Sequence, residues 1–343
     1  MSLMRAAVLV EPRRFELQTV AIPEIGPDEV LVRVDRTGIC GTDIHIYNGH
    51  YAADRLPMVP GHEFCGTIAA LGRDVRHLAE GQTCVVDINI GCGTCYWCRR
   101  NEILNCPTMV QVGIGRNGAF ADYVAVPARL VIPAPADVPP EVLALVEPVS
   151  CVVRAARKAE IRMGQSVVVL GAGPIGNLHV QLLRLLGAAP ILVADLSEAR
   201  CQMALEAGAD RAVSDPAQLR AEVLRATGGR GADVVIESVG NARLYALAFE
   251  LIRKGGHVAF FGLTGAGETV PVDILRTILE ENSLKGSVAG MGEDMHDALT
   301  LLSHKRFRTA AFTRASYPLD RIGEAFATLA ERPGDLKTQI LMH

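Results

Sequence analysis

A strong charge of either sign is missing from this sequence. Lys and Arg number 34, Asp and Glu 38, and the formal net charge is −4. A chain so close to neutral carries no electrostatic footprint for nucleic acid or for an anionic membrane. No apolar run approaches the ~20 residues that span a bilayer. The opening residues, Met1-Ser2-Leu3-Met4-Arg5, have neither the apolar core nor the cleavage site of a secretory signal. Internal repeats and low-complexity tracts are also absent, and there is one tryptophan. These absences predict a cytosolic protein without nucleic-acid or membrane partners. In that reducing compartment the 9 cysteines read as metal ligands or buried apolar residues rather than disulfides.

What is present suits a globular protein of more than one domain. The 343 residues exceed what one ordinary core accommodates. Hydrophobic residues make up 49% and charged residues 21%, well inside the folding regime. The 33 glycines imply many tight turns and close backbone approaches. The first part reads as β-rich, with strands expected over Arg5–Val10, Val30–Val34, Gly66–Leu71, Thr83–Asp87 and Phe120–Val126, separated by Gly and Pro breaks. From Ser150 to Glu160 the apolar spacing turns helical. Strands and helices then alternate: Ser166–Leu170, helix Ile175–Leu186, Ile191–Asp195, helix Glu198–Ala207, then strands Asp233–Glu237 and Val258–Phe261. That alternation predicts a parallel sheet covered by helices on both faces. An amphipathic helix over Leu319–Ala330 and a strand over Thr338–Met342 read as a return to the first domain.

Gly171-Ala172-Gly173-Pro174-Ile175-Gly176 fits G-x-G-x-x-G, a weak pattern alone. Here it follows an expected strand and opens an expected helix, and Asp195 ends the next strand 19 residues beyond Gly176. In that context it reads as a dinucleotide site. Gly171 permits the tight turn, Gly173 lets backbone approach a pyrophosphate at the helix N-terminus, and Gly176 allows close helix–strand packing. Asp195 can accept hydrogen bonds from both hydroxyls of an adenine ribose, and its charge opposes a 2′-phosphate, so NAD is favoured over NADP. Arg200 stands against this, since it could reach a phosphate. A ligand-free glycine turn, with Asp195 capping the next helix, is the bland alternative.

Cys92, Cys95, Cys98 and Cys106 are spaced C-x2-C-x2-C-x7-C. Four thiolates so close can surround one tetrahedral Zn²⁺ and leave no open position, which makes the site structural. An Fe–S cluster, disulfides and chance clustering are the alternatives. Cys40 and His62 lie 22 residues apart, with Glu63 adjacent and Glu147 at the expected junction of domains. Cys, His and Glu all ligate zinc, and three such ligands leave a corner for an alcohol oxygen. Singly, each has a bland reading: a small buried hydrophobe for Cys40, a satisfied loop histidine for His62, a cap or salt-bridge partner for Glu63.

Together, Cys40-Gly41-Thr42-Asp43, Gly61-His62-Glu63, the four-cysteine loop and the glycine loop with Asp195 resemble the zinc-containing medium-chain alcohol dehydrogenases, in order and spacing along nearly the whole chain. The resemblance implies an α/β fold: a GroES-like β-rich catalytic domain over residues 1–150 and 287–343, interrupted by a Rossmann doubly wound parallel-sheet domain over 151–286. It implies two zinc ions per chain. Cys40, His62 and Glu63 match the catalytic zinc positions, and Glu147 matches a fourth that binds directly or through water. Cys92, Cys95, Cys98 and Cys106 match the structural zinc. Thr42 and His45 match a proton relay. Gly171, Gly173, Ile175, Gly176, Asp195 and Arg200 match the adenosine and pyrophosphate contacts. Val239-Gly240, Gly262-Leu263 and Ser287-Val288 match stretches that line the nicotinamide. Relatives suggest a homotetramer or homodimer.

The expected activity is hydride transfer from a secondary alcohol to NAD⁺. Glu147-Pro148-Val149-Ser150 resembles polyol dehydrogenases, which favours a polyol or sugar-like substrate. Cys40 to Asn48 instead resembles threonine dehydrogenases, and an amino alcohol is the alternative. The Arg that polyol dehydrogenases often carry just after the strand near Ser287, in support of the zinc-site glutamates or the substrate hydroxyls, is missing here. An NADP-linked reductase, a catalytically silent nucleotide-binding protein and a zinc hydrolase, which has no use for the dinucleotide loop, are the remaining rivals. Asp195 argues against the first, and the intact Cys40, Thr42, His45, His62 and Glu63 against the second.

Overall fold

The computed structural model describes residues 2–329 and 335–343. The chain begins with strands β1 (Leu3–Glu11), β2 (Arg14–Ala21) and β3 (Glu29–Gly38), helix α1 (Gly41–Tyr47), and strands β4 (Glu63–Leu71), β5 (Thr83–Val86) and β6 (Asn89–Ile90). Helix α2 (Tyr96–Arg99), strands β7 (Val110–Gln111), β8 (Tyr123–Pro127) and β9 (Val131–Pro133), and helices α3 (Pro140–Leu143) and α4 (Val146–Lys158) follow. The alternating part comprises β10 (Val167–Leu170), α5 (Pro174–Leu185), β11 (Ile191–Ala194), α6 (Glu198–Ala207), β12 (Arg211–Val213), α7 (Pro216–Ala226), β13 (Ala232–Glu237), α8 (Ala242–Leu251), β14 (Ile252–Phe260), α9 (Ile274–Leu279) and β15 (Ser283–Gly286). The last elements are α10 (Glu293–Ser303), β16 (Ala315–Pro318), α11 (Ile322–Thr328) and β17 (Thr338–Leu341). Among the described residues no helix is long and apolar enough to cross a membrane.

These elements form two compact units. One comprises the chain up to Ser150, Ala289–Lys305 and Thr309–His343; the other comprises Cys151–Val288 and Arg306–Arg308. In the first unit a seven-stranded sheet runs β16-β17-β3-β4-β5-β9, with β8 also paired to β3. Strand β3 serves three partners because it bends. Its register against β4 shifts at Leu31/Val32 and at Val34/Arg36, so β8 pairs with its first half and β17 with its end. Alternate residues Val30, Val32 and Val34 are fully buried, the period of a one-faced strand. They join a core with Ile68, Phe120 and Ile340.

The second unit is a six-stranded parallel sheet in the order β12-β11-β10-β13-β14-β15. Successive residues of β10 point to opposite faces. Val167 and Val169 pack with Val180 and Leu183 of α5 and Ala204 of α6. Val168 and Leu170 pack with Leu219 and Val223 of α7 and Ala248 and Leu251 of α8. A sheet clothed on both faces makes its strands continuous apolar runs, which is why Val-Val-Val-Leu appears here without alternation. The strand order reverses between β10 and β13, and ligands of such sheets bind outside the carboxyl ends of the strands at that point.

Several boundaries differ from expectation. The strand expected from Phe120 starts at Tyr123, because the preceding residues bond elsewhere: Ala119 N–H to Gly61, Phe120 N–H to Pro60 and Asp122 N–H to Arg5. The helix expected from Ser150 begins at Val146, which places Glu147 and Pro148 in its first turn, where a missing N–H is harmless. The strand expected from Val258 begins at Ile252; its register shift beside Gly255-Gly256 broke the pattern. The helix expected over 319–330 opens as a 3₁₀ turn, Leu319–Arg321, before α11, and Ala330 lies outside the described residues.

Candidate active site

Strand pairing assembles the first constellation. β3 runs out at Gly38 opposite Glu63, the first residue of β4, and Gly38 is also opposite Gln339 of β17. Cys40, two residues past Gly38, caps α1 and so stands at the head of a helix. The candidate ligand atoms of Cys40, His62 and Glu63 lie within 4.8 Å of one another. Asp43, in the first turn of α1, is 1% exposed. One of its oxygens accepts the Cys40 backbone N–H at 2.8 Å, and the other lies 3.3 Å from His62 Nδ1. A carboxylate on one ring nitrogen is the arrangement that orients a metal-binding imidazole.

Lys337, which no sequence pattern singles out, stands just before β17. It is 6% exposed, and its Nζ lies 2.6 Å from Glu63 Oε1 and also contacts Oε2. Burial works against its charge, but Glu63, Cys40 and Glu147 outweigh that and raise its pKa. His62 behaves alike: burial lowers its pKa, while Asp43 and Cys40 carry it well above the ordinary value. Asp43, Glu63 and Glu147, all buried, thus act on His62 and Lys337. A thiolate, an imidazole and a carboxylate are the donor set of an open zinc site. Glu147 sits in the first turn of α4, 7% exposed, where its charge acts on Lys337; it is outside the trio whose donor atoms converge. On α1, Thr42 is half-buried and His45 exposed. The cation that faces Glu63 is Lys337.

The four cysteines also converge, with sulfurs within 4.8 Å of one another. Backbone N–H groups point at them: Cys95 N–H to Cys92 Sγ at 3.3 Å, Cys98 N–H to Cys95 Sγ at 3.5 Å, and Cys92 N–H to Cys106 Sγ at 3.5 Å. Donation from the Thr94 and Cys95 backbones brings the Cys92 thiol down to about 5, while burial and neighbouring thiols push Cys98 up to about 11. Backbone-solvated sulfurs in a closed foursome fit one tetrahedral metal.

In the second unit, Gly171 takes φ +101°, and an added Cβ there would lie 2.5 Å from Val239 Cγ2. At Gly176 a Cβ would lie 1.9 Å from the Gly171 carbonyl oxygen, so loop and helix touch. At Gly173 a Cβ would meet nothing, leaving room above the N-terminus of α5 for an anion. Asp195, at the end of β11, accepts N–H groups of Ala172 at 2.8 Å and Ser197 at 2.9 Å. Arg200 Nε is buried without a hydrogen-bond partner among the described residues, as is Ser287 Oγ. Ile175 is half-buried and Gly262 also partly exposed, whereas Val239, Leu263 and Val288 are exposed at 55%, 55% and 53%.

The family model for the alcohol dehydrogenase GroES-like domain matches residues 26–136, and that for zinc-binding dehydrogenase matches residues 174–304. L-threonine 3-dehydrogenase of Rhizobium rhizogenes is 34% identical over 290 residues, 83% of either chain. A zinc-binding dehydrogenase of Sinorhizobium meliloti 1021, solved with NADP bound, matches with TM-score 0.93 at 31% identity, covering 99% of this chain and 100% of that one. An alcohol dehydrogenase of Thermus sp. ATN1 matches with TM-score 0.92 at 29% identity, over 98% and 99%. The chain belongs to the zinc-containing medium-chain alcohol dehydrogenase family, with a GroES-like and a Rossmann-like domain. It is an oxidoreductase of the zinc-dependent, nicotinamide-using class.

Replacing Lys337 leaves a buried carboxylate without its counter-ion. Lys337→Met is expected to lower the stability of the metal-free protein by about 3–5 kcal/mol, read from urea unfolding. An unchanged midpoint would show that the pair contributes nothing.

Proposed function

We propose that this protein oxidises a secondary alcohol with NAD⁺, using the metal-ligand trio of the first unit and the dinucleotide loop of the second. The observation that carries the reading is the convergence of Cys40, His62 and Glu63, with Asp43 behind the imidazole. A zinc ion held there would supply Lewis acidity toward an alcohol oxygen, and a bound nicotinamide would accept the hydride. Cys40, His62 and Glu63 would hold the metal, with Glu147 reaching it directly or through water. Cys92, Cys95, Cys98 and Cys106 would hold a second, structural zinc. In this reading residues 1–150 and 287–343 form the catalytic domain and residues 151–286 the NAD domain.

The remaining residues move a proton and seat the cofactor. The Thr42 hydroxyl, two residues from Cys40, takes the alcohol proton, and the exposed His45 on the same helix hands it to solvent. Gly171, Gly173 and Gly176 shape the pyrophosphate seat at the start of α5, with Ile175 and Arg200 beside it. Asp195 receives the adenine ribose hydroxyls and repels a 2′-phosphate. Val239, Gly262, Leu263, Ser287 and Val288 line the nicotinamide.

The resemblance around Glu147-Pro148-Val149-Ser150 supports a polyol or sugar-like substrate. A second reading, oxidation of an amino alcohol such as L-threonine, is favoured by the relatives of that name and by the stretch from Cys40 to Asn48. With zinc present, NADH formation across polyols, amino alcohols and simple secondary alcohols is expected for one class and sinks the reading if it fails for all. NAD⁺ is expected to exceed NADP⁺ in kcat/KM. Asp195→Ala narrows that gap about tenfold or more, since a carboxylate facing a phosphate costs more than ~1.4 kcal/mol.

His45→Ala is expected to slow turnover most on the acid side of neutral, where solvent base is scarce. An unaltered pH–rate profile would remove His45 from the proton path. A homodimer or homotetramer is supported by β15, an edge strand, and by Ile274, Leu275, Ile278 and Leu279 of α9, all at least 66% exposed. Light scattering on the purified protein is expected to report two or four copies, and a monomer would overturn this.

A further inference from the structure

Glu237 is the last residue of β13, at the carboxyl edge of the parallel sheet where the strand order reverses, and it is 0% exposed. An acidic side chain so deep needs donors, and it finds them in the backbone that follows. Oε1 accepts the N–H of Val239 at 3.0 Å, of Gly240 at 3.0 Å and of Asn241 at 3.4 Å, and Oε2 accepts Gly240 N–H at 3.0 Å. Val239, Gly240 and Asn241 of the loop after β13 thus share one carboxylate, while Ser238 N–H donates to the Leu170 carbonyl.

That loop is locked to the one after β14. Gly240 takes φ +83°, and a Cβ on it would lie 2.1 Å from the Leu263 carbonyl oxygen. A Cβ on Gly262 would lie 2.0 Å from Gly240 N and 2.6 Å from Glu237 Oε2. The buried Tyr245 hydroxyl donates to the Gly262 carbonyl, and the Glu237 carbonyl accepts N–H from Phe261 and Gly262. With polar groups turned inward to the carboxylate, two apolar side chains are left outside: Val239 and Leu263, each 55% exposed. Large aliphatic groups held exposed by a buried network form a ready apolar bed.

We propose that Glu237 is a positioning residue for the nicotinamide half of the dinucleotide: its carboxylate fixes the loops that present Val239 and Leu263, without touching the ligand. This rests on the reading above that the second unit binds NAD. A residue that serves only the fold would weaken all binding alike; a positioning residue for the ring weakens only ligands that carry the ring. ADP-ribose, which lacks the nicotinamide, separates the two.

The test is equilibrium binding of NADH, by fluorescence, and of ADP-ribose, by calorimetry, to the full chain and to Glu237→Gln. The glutamine amide would aim N–H groups at a backbone N–H. The expected result is a loss of NADH affinity of at least tenfold with ADP-ribose within twofold of wild type. Equal losses for both ligands, or no loss for either, would overturn the proposal. If Glu237→Gln does not fold, Tyr245→Phe decides: a loss of about threefold or more for NADH alone supports it, and parallel or absent change overturns it. Failure of the wild-type chain to bind both ligands would instead overturn the dinucleotide reading and this inference with it.

Discussion

The register between β3 and β4 is the constraint on which the metal-binding constellation depends. Gly38 opposite Glu63 brings Cys40, His62 and Glu63 to one end of one strand pair. A slip of one residue in an antiparallel pair turns each side chain to the other face. Such a slip would bury His62 differently, point Glu63 away from Lys337 and expose Val30, Val32 and Val34. The core and the site are thus specified by the same ladder, and the apolar side of β3 guards the polar end of it.

Charge balance is the second theme. Asp43, His62, Glu63, Glu147 and Lys337 are all buried in the first unit, a concentration of ionisable groups that costs solvation unless each is matched. The matching is shared: Lys337 serves Glu63 and feels Cys40 and Glu147, and Asp43 serves both the Cys40 backbone and His62. In the second unit Glu237 follows another solution, taking its positive partners from backbone N–H groups rather than from a cation. Both solutions give a buried carboxylate its donors, but only the second ties it to loop shape.

What the sequence revealed followed from how locally each feature is written. The four cysteines and the glycine loop with Asp195 are close in sequence, so spacing alone grouped them. Cys40, His62 and Glu63 are separated, and the residues alone left bland readings open; resemblance to a family brought them together. The alternating strands of β10, β11 and β13 were plain because apolar runs there are uninterrupted. β14 is longer than its apolar run suggests, because a register shift absorbs Arg253-Lys254-Gly255-Gly256, which looks like a turn. Lys337 and Glu237 were invisible because a lysine and a glutamate look ordinary in a line of letters. Their importance comes from burial beside partners 274 residues away, in the case of Lys337, or beside a backbone turn, in the case of Glu237.

The placing of β17 has a consequence in time. This strand pairs between β16 and β3, yet the ribosome makes it after all of β10 to β15. The second unit is nearly continuous in sequence and can close while the first still has an unfilled slot beside β3. Until β17 arrives, one flank of β3 offers unpaired backbone groups to any passing strand, and Glu63 lacks its lysine. The nascent chain therefore stays open to mispairing until late in its synthesis, and the step that ends this exposure also completes the charge balance around Glu63.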